Sequence, residues 1–415
     1  MQGKFKLLAV AALAAAGTLG TSAAMAQGIA FNGYLRTGVG GTSEGGNQQC
    51  FSGNFPIRAK YRLGNECETY GELALAAPFG KADGANGKYV FMAALIGGDS
   101  SDFTASPDDL TIASRQNYFQ FGGVFPKGGA LEDAKAWIGK RYYNRHDVHI
   151  NDHFYWNNSG QGAGLEDINL GGAKLAFAYH QNGGNSNGAT EIVGNRYSAR
   201  VYGISTNPGG TLEAELVYLK GTRAVDDGES GNTGTGTILF AEHTQSGILG
   251  GFNKFAVVIG DKLGGDGFEW LPTYAGGNET SGKQFRVIDQ LYFDLKNGWS
   301  GMGVVGYAER KINGNKDTWI TAGIRPQYNF TDNYSIAFEA GYDQGKSTGG
   351  DTKKLTKLTV APQLSLTGGF WARPVMRAFV TYAKWNTANG DAGTNGAFGT
   401  KTNGMNYGLQ VEAWW

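Results

Sequence analysis

The stretch Tyr407-Gly408-Leu409-Gln410-Val411-Glu412-Ala413-Trp414-Trp415 alternates in character with period two. In a strand, successive side chains point to opposite faces. Tyr407, Leu409, Val411, Ala413 and Trp415 therefore share one face, and Gly408, Gln410, Glu412 and Trp414 share the other. The first face suits lipid and the second suits water, with Trp414 as the exception. A soluble sheet alternates in the same way. A strand that closes an exported chain on an aromatic fits a transmembrane barrel better, because such barrels carry aromatic girdles at the membrane interfaces.

Export is read from the other end of the chain. Lys4 and Lys6 precede an apolar run over residues 7–16, and small residues lead to Ala24-Met25-Ala26. A charged start, a short apolar run and an A-x-A site describe a signal peptide. Residues 1–26 are thus expected to be removed, and 27–415 to form one barrel domain. The apolar run is too short for a membrane anchor. No later stretch approaches the length of a transmembrane helix.

Composition agrees with strands and turns. The 415 residues include 68 Gly, 13% aromatics and only nine Pro. Disordered chains lack aromatics. The precursor has 36 basic and 36 acidic residues, and losing Lys4 and Lys6 leaves 34 against 36. No basic patch points to nucleic acid, and a near-neutral balance is compatible with a neutral solute.

Cys50 and Cys67 are the only cysteines. A metal pair lacks nearby Cys or His support, so a disulfide is expected in an exported chain. It closes a loop of about 18 residues, a stabilisation of roughly 3 kcal/mol in the chain-entropy model.

Alternating segments of about 10 residues divided by turns are the signature of a transmembrane barrel. They are read at 30–39, 66–75, 88–95, 116–123, 136–143, 174–180, 198–204, 212–219, 238–245, 254–260, 285–294, 302–310, 319–328, 335–343, 355–364, 375–385 and 405–415. That is about seventeen, and bacterial barrels use even numbers, so sixteen or eighteen strands are expected. Asn207-Pro208-Gly209-Gly210, Asn297-Gly298 and Thr331-Asp332-Asn333 read as short periplasmic turns, where Gly and Asn tolerate positive φ. The polar runs 183–190, 226–236, 345–353 and 386–402 read as extracellular loops. Residues 141–165, RYYNRHDVHINDHFYWNNSGQGAGL, alternate poorly and are dense in aromatic, His, Asn and Asp residues. They read as a long loop folded into the barrel.

Chemical motifs are weak. His146, His149 and His153 with Asp147 and Asp152 have the composition of a metal cluster, but the spacing is helical in a non-helical context, and a hydrogen-bonded loop is the simpler reading. Glu72, Asp152 and Glu242 could supply a glycosidase pair, yet 36 acidic residues offer many pairs. Gly38-Val39-Gly40-Gly41 lacks the Lys-Ser/Thr of a phosphate loop. No catalytic residue, metal or cofactor is assigned.

Aromatics on wet faces carry more information. Asn32, Tyr34 and Arg36 share one face of the first strand, and Glu68, Tyr70 and Glu72 one face of the second. With Trp414 beside Glu412, three strands place an aromatic among ionic groups. Each alone reads as a girdle or snorkelling residue. Together they resemble a ligand site with apolar platforms and a few polar groups. Aromatic faces stack on the CH faces of sugars, and charged groups take the hydroxyls.

The sequence also resembles the maltoporins, the sugar-specific porins. The resemblance is carried by Gly33-Tyr34-Leu35-Arg36-Thr37-Gly38, by Lys60-Tyr61-Arg62-Leu63-Gly64-Asn65-Glu66-Cys67-Glu68-Thr69-Tyr70, and by Arg145-His146-Asp147-Val148-His149. Further carriers are Asn207-Pro208-Gly209-Gly210-Thr211-Leu212-Glu213, Gly251-Phe252-Asn253-Lys254-Phe255, Thr381-Tyr382-Ala383-Lys384-Trp385 and Trp414-Trp415. The blocks are ordered and spread over the mature chain.

The resemblance implies an all-β, eighteen-stranded antiparallel transmembrane barrel in the bacterial outer membrane, assembled as a homotrimer, with its third loop folded into the pore. It implies passive diffusion of maltose and malto-oligosaccharides along aromatics, without catalysis. By motif the aromatic stripe is Tyr34, Tyr70, Phe252, Trp371 and Trp414, with Phe154 at the constriction. Phe103 is the candidate for an aromatic reaching a neighbouring subunit's pore. The polar track is Arg36, Arg62, Glu72, Arg115, Arg145 and Asp152. Two positions depart from the family: its constriction tyrosine is Phe154 here, and its Trp-Asp pair is Trp156-Asn157. Each lost sugar hydrogen bond is worth about 0.5–1.5 kcal/mol, so altered affinity or breadth is expected. A broader sugar porin for sucrose or other disaccharides is the alternative, followed by a carbohydrate-binding surface barrel that does not conduct.

Overall fold

The computed structural model describes residues 28–57, 59–81, 84–97, 110–183, 192–223, 231–265 and 282–415. The expected signal peptide and Phe103 lie outside these. The strands are β1 Ala30–Thr42, β2 Thr69–Gly80, β3 Asn86–Gly97, β4 Leu110–Gly122, β5 Lys135–Arg141, β6 Arg145–Val148, β7 His153–Asn157, β8 Gly160–Asn169, β9 Lys174–Gly183 and β10 Ile192–Asn207. They continue as β11 Gly210–Arg223, β12 Gly231–Ile248, β13 Gly251–Lys262, β14 Lys283–Asp294, β15 Trp299–Ile312, β16 Asn315–Asn329, β17 Tyr334–Ser347, β18 Lys353–Ser365, β19 Val375–Trp385 and β20 Asn403–Trp414.

All except β6 and β7 join one antiparallel sheet of 18 strands. It closes on itself because β1 pairs with β2 on one side and with β20 on the other, in the register Tyr34↔Glu72 and Tyr34↔Trp414. Closure leaves no open edge, the condition for a sheet to span lipid. The period-two sequence decides which face looks out. On β19, Met376, Val380 and Tyr382 are exposed while Arg377 and Thr381 are buried. On β20, Tyr407 and Leu409 are exposed and Gln410 and Glu412 are buried, as the alternation requires. The apolar face is thus outside and the polar face inside.

The strand count exceeds the seventeen segments read from sequence by β8. Gly160, Gly162 and Gly164 leave that strand few side chains to show an alternation. The expected long loop accordingly shortens from 141–165 to 142–159. The expected loop at 345–353 also shortens, because β17 and β18 reach Ser347 and Lys353. Residues 208–209, 295–298 and 330–333 form turns on one rim, as expected, together with the longer segment 366–374.

Two segments from the opposite rim run against the inner face of the wall. Within 142–159, β6 and β7 pair as a hairpin. Its Trp156 stacks on Phe240 of β12 at 4.7 Å, and its Tyr155 hydroxyl donates to Glu242 at 2.5 Å. Glu215 of β11 accepts from Asn144, Trp156 Nε1 and Asn158 at 2.6, 2.8 and 2.6 Å. The second segment is 43–68, which holds both cysteines and the expected polar-track residue Arg62 and whose residue spacing does not place it inside the barrel. Its Tyr61 ring covers Gly323 and Gly341, where an added Cβ would fall 2.1 Å from the ring. Lys357 donates to the Leu63 carbonyl at 2.8 Å, and Glu339 accepts from Leu63 N at 3.1 Å. Backbone bonds Lys60 N to Asn151 O (2.8 Å) and Arg62 N to Ile150 O (3.0 Å) join the two segments. Cys50 and Cys67 form the expected disulfide, with Cα atoms 5.7 Å apart. The 386–402 segment packs on the same loop through a Phe51–Phe398 ring contact at 5.3 Å, and Trp385 at the end of β19 adds a second at 6.0 Å.

Candidate functional site

Where β1, β2, β4 and β20 face the two inner segments, a cavity of about 430 Å³ opens. It is lined by Tyr34, Arg36, Arg62, Tyr70, Glu72, Arg115, Arg145, Asp147, His149, Asp152, His153, Phe154 and Trp414. Ten residues assigned from sequence meet here, from strands and loops far apart in the chain. Phe252 and Trp371 are not in this lining.

The strands fix the wall. Tyr34, Glu72 and Trp414 sit side by side because the ladder pairs them. Tyr34 donates to Glu412 at 3.1 Å and accepts from Arg62 at 2.7 Å. Tyr70 stands 6.1 Å from Tyr34, ring to ring, and donates to Glu72 at 2.6 Å. Arg36 lies over the Tyr70 ring at 5.0 Å and pairs with Glu66 and Glu68. Arg115 pairs with Glu72 at 3.3 Å. The sequence reading missed Tyr142, which links these groups. Its hydroxyl donates to Glu72 at 2.7 Å and accepts from Arg115 Nε at 2.5 Å.

The hairpin supplies the opposite side. The Arg145 guanidinium sits between two rings, 4.0 Å from Phe154 and 4.3 Å from Tyr142. Cation–π contacts of this kind hold a cation in place without neutralising it. Asp152 reaches the cavity from a backbone with φ of 55°. Asn157, the second departure from the family pattern, is elsewhere: its side chain accepts from Ser159 N at 3.1 Å and does not line the cavity. Only the loss at Phe154 therefore falls on the cavity wall.

The three loop histidines take three separate places. His146 offers Nε2 to Glu213 at 3.0 Å and Nδ1 to Glu242 at 3.3 Å. Burial opposes its charge, but the two carboxylates outweigh burial and raise it to about 9. His153 packs on Trp319 at 5.0 Å, and burial, assisted by Arg286, lowers it to about 3. His149 stands 5.0 Å from Trp371 and 6.0 Å from Trp414. Among the described residues, no group of three His, Cys, Asp or Glu side chains could hold a metal ion.

From the cavity a run of rings leads to the short-turn rim. Trp414 meets His149, and His149 meets Trp371. Trp371 meets Tyr292 at 5.5 Å, and Tyr292 meets Phe252 at 5.5 Å. Arg373 covers a face of Trp414 at 4.0 Å and pairs with Glu412 at 2.6 Å. Burial lowers the Arg373 guanidinium to about 9, against the pull of Glu412. Trp371 and Phe252, absent from the cavity wall, thus join it through His149 and Tyr292. Tyr292 was not singled out from sequence.

A closed antiparallel barrel with an apolar exterior, a polar interior and a side-chain-lined passage defines a β-barrel membrane channel. The chain belongs to the LamB porin family, whose model matches residues 29–415, and it is an outer-membrane protein. Solved structures of similar architecture include Pseudomonas aeruginosa OccK1 (OpdK), at 10% identity over 94% of this chain and 98% of that one, TM-score 0.49. An anion-selective porin from Comamonas acidovorans matches at 11% identity over 93% and 99%, TM-score 0.42. The trimer form of Vibrio cholerae OmpT matches at 11% identity over 93% and 99%, TM-score 0.41.

Proposed function

We propose that this porin passes maltose and malto-oligosaccharides by facilitated diffusion, with the 142–159 hairpin narrowing the pore. The observation that carries the reading is a series of rings flanked by Arg and carboxylate groups: Tyr70 lies beside Tyr34, Tyr34 is the ladder partner of Trp414, and Trp414 leads through His149, Trp371 and Tyr292 to Phe252. Glucose rings present apolar CH faces that stack on such platforms. Their hydroxyls find donors and acceptors at Arg36, Arg62, Arg115, Arg145, Glu72 and Asp152. Several weak sites in series let a solute enter readily and still leave, as conduction requires. Membership of the LamB family supports a sugar as the solute.

Assembly as a homotrimer, with Phe103 of each subunit reaching a neighbouring pore, belongs to the same proposal and rests on family resemblance. A broader sugar range is the second reading, favoured by Phe154, which has no hydroxyl to offer at the cavity wall. Liposome swelling separates the two. Maltotriose entering faster than a trisaccharide of equal size without the α-1,4 chain supports the maltodextrin channel. Equal rates favour the broad one, and no entry by any sugar removes both.

A further inference from the structure

Tyr292 faces inward on β14, where the ladder sets it opposite Phe252 of β13. Its ring contacts Phe252 and Trp371 at 5.5 Å each and Phe370 at 6.0 Å. It thus fills the gap between two platforms of the aromatic run, at the end of the barrel that carries the short turns. Its hydroxyl differs from those of Tyr34 and Tyr70, which are committed to Glu412 and Glu72. Among the described residues, no group hydrogen-bonds to the Tyr292 hydroxyl, and the oxygen is not among the buried polar atoms that lack a partner. The ring is held by packing on an inward-facing position, and its hydroxyl is neither buried nor committed to another described residue.

We infer that Tyr292 is a further sugar-binding platform, one that stacks on a hexose ring and hydrogen-bonds a hydroxyl of the same or the adjoining sugar at the short-turn mouth. The inference rests on the sugar-channel reading and deepens it. It gives the exit of the pore a polar handle that Phe252 cannot offer. A sugar hydroxyl there has one side-chain partner already positioned, so little ordering is needed on binding.

The test is maltotriose block of ion current through the full-length channel in planar bilayers, comparing wild type with Tyr292→Phe and Tyr292→Ala. Tyr292→Phe keeps the ring and its packing and removes only the hydroxyl. A net hydrogen bond of about 0.5–1.5 kcal/mol predicts roughly a two- to tenfold loss of maltotriose affinity. Tyr292→Ala should lose more, through faster sugar release, in channels that still conduct ions. If wild type is blocked by maltotriose and both variants are blocked with the same affinity, the Tyr292 assignment is wrong and the channel reading stands. If wild type itself is not blocked, the sugar reading fails and Tyr292 with it.

Discussion

Trp415 lies across Gly33, and the two residues exchange both backbone hydrogen bonds, Gly33 N to Trp415 O at 3.1 Å and Trp415 N to Gly33 O at 3.2 Å. A Cβ at Gly33 would sit 2.2 Å from the indole ring. The aromatic that packs on Phe31 at 5.7 Å therefore also helps fasten β20 to β1. Gly33→Ala must displace the ring from the seam. The ring is half exposed and can turn aside, so the cost falls at about 1 kcal/mol or below, the low end for overpacking. Heat-induced unfolding in detergent should show a lower transition temperature for Gly33→Ala, and an unchanged transition would mean that the ring does not hold the seam.

Phe154 stands where a hydroxyl would face the cavity, with Arg145 over its ring at 4.0 Å. Phe154→Tyr adds that hydroxyl without removing the cation–π contact. Maltotriose affinity, read from current block, should rise about two- to tenfold. Asn157→Asp serves as the contrast: Asn157 bonds to Ser159 N and does not line the cavity, so its substitution should leave affinity nearly constant.

Glu215 holds the hairpin by three donors, from Asn144, Trp156 and Asn158. Glu215→Ala leaves the buried Trp156 and Asn158 and the half-buried Asn144 without their acceptor. The penalty is about 1–3 kcal/mol for each unpaired group, enough to loosen the hairpin. Open-channel current noise should increase, and a quiet trace with wild-type conductance would show that the hairpin is held by other contacts.

His146 adds a pH-dependent anchor for the same hairpin. Both ring nitrogens face carboxylates, so both must donate and the imidazolium is the bonded form. The folded value of about 9 lies above the ordinary value of roughly 6.5. A raised value means that the stabilisation is fully present below about pH 6.5 and is lost as pH rises through about 9. Comparing thermal unfolding of wild type and His146→Gln from pH 6 to 10 checks this. The gap between them should shrink with rising pH, and a constant gap would remove the ionic account.

Much of this was legible in the residues. The alternation of 407–415 and its counterparts gave the barrel, because lipid outside and water inside sort side chains with the period of the strand. Tyr34, Tyr70 and Trp414 were visible as aromatics on polar faces, and the structure brings all three together at or beside one cavity. β8 was hidden by Gly160, Gly162 and Gly164, which carry no pattern. The inner run of 43–68 was hidden because Ile57, Tyr61 and Leu63 have no regular spacing. Only β16 and β17, by presenting Gly323 and Gly341, make room for Tyr61. Tyr142 falls in the stretch that alternates poorly, whereas Tyr292, between Gln290 and Asp294 on one face of its strand, carried the same signal as Tyr70 and was legible in the residues.

The central claim is that sugars traverse this pore along the aromatic run. Single-channel current through wild type and Trp371→Ala, titrated with maltotriose, addresses it most directly. The expected result is brief, concentration-dependent closures in wild type, with weaker binding and shorter closures in Trp371→Ala at similar sugar-free conductance. A channel that conducts ions but whose current maltotriose leaves unchanged, or one whose block is indifferent to Trp371, would contradict it.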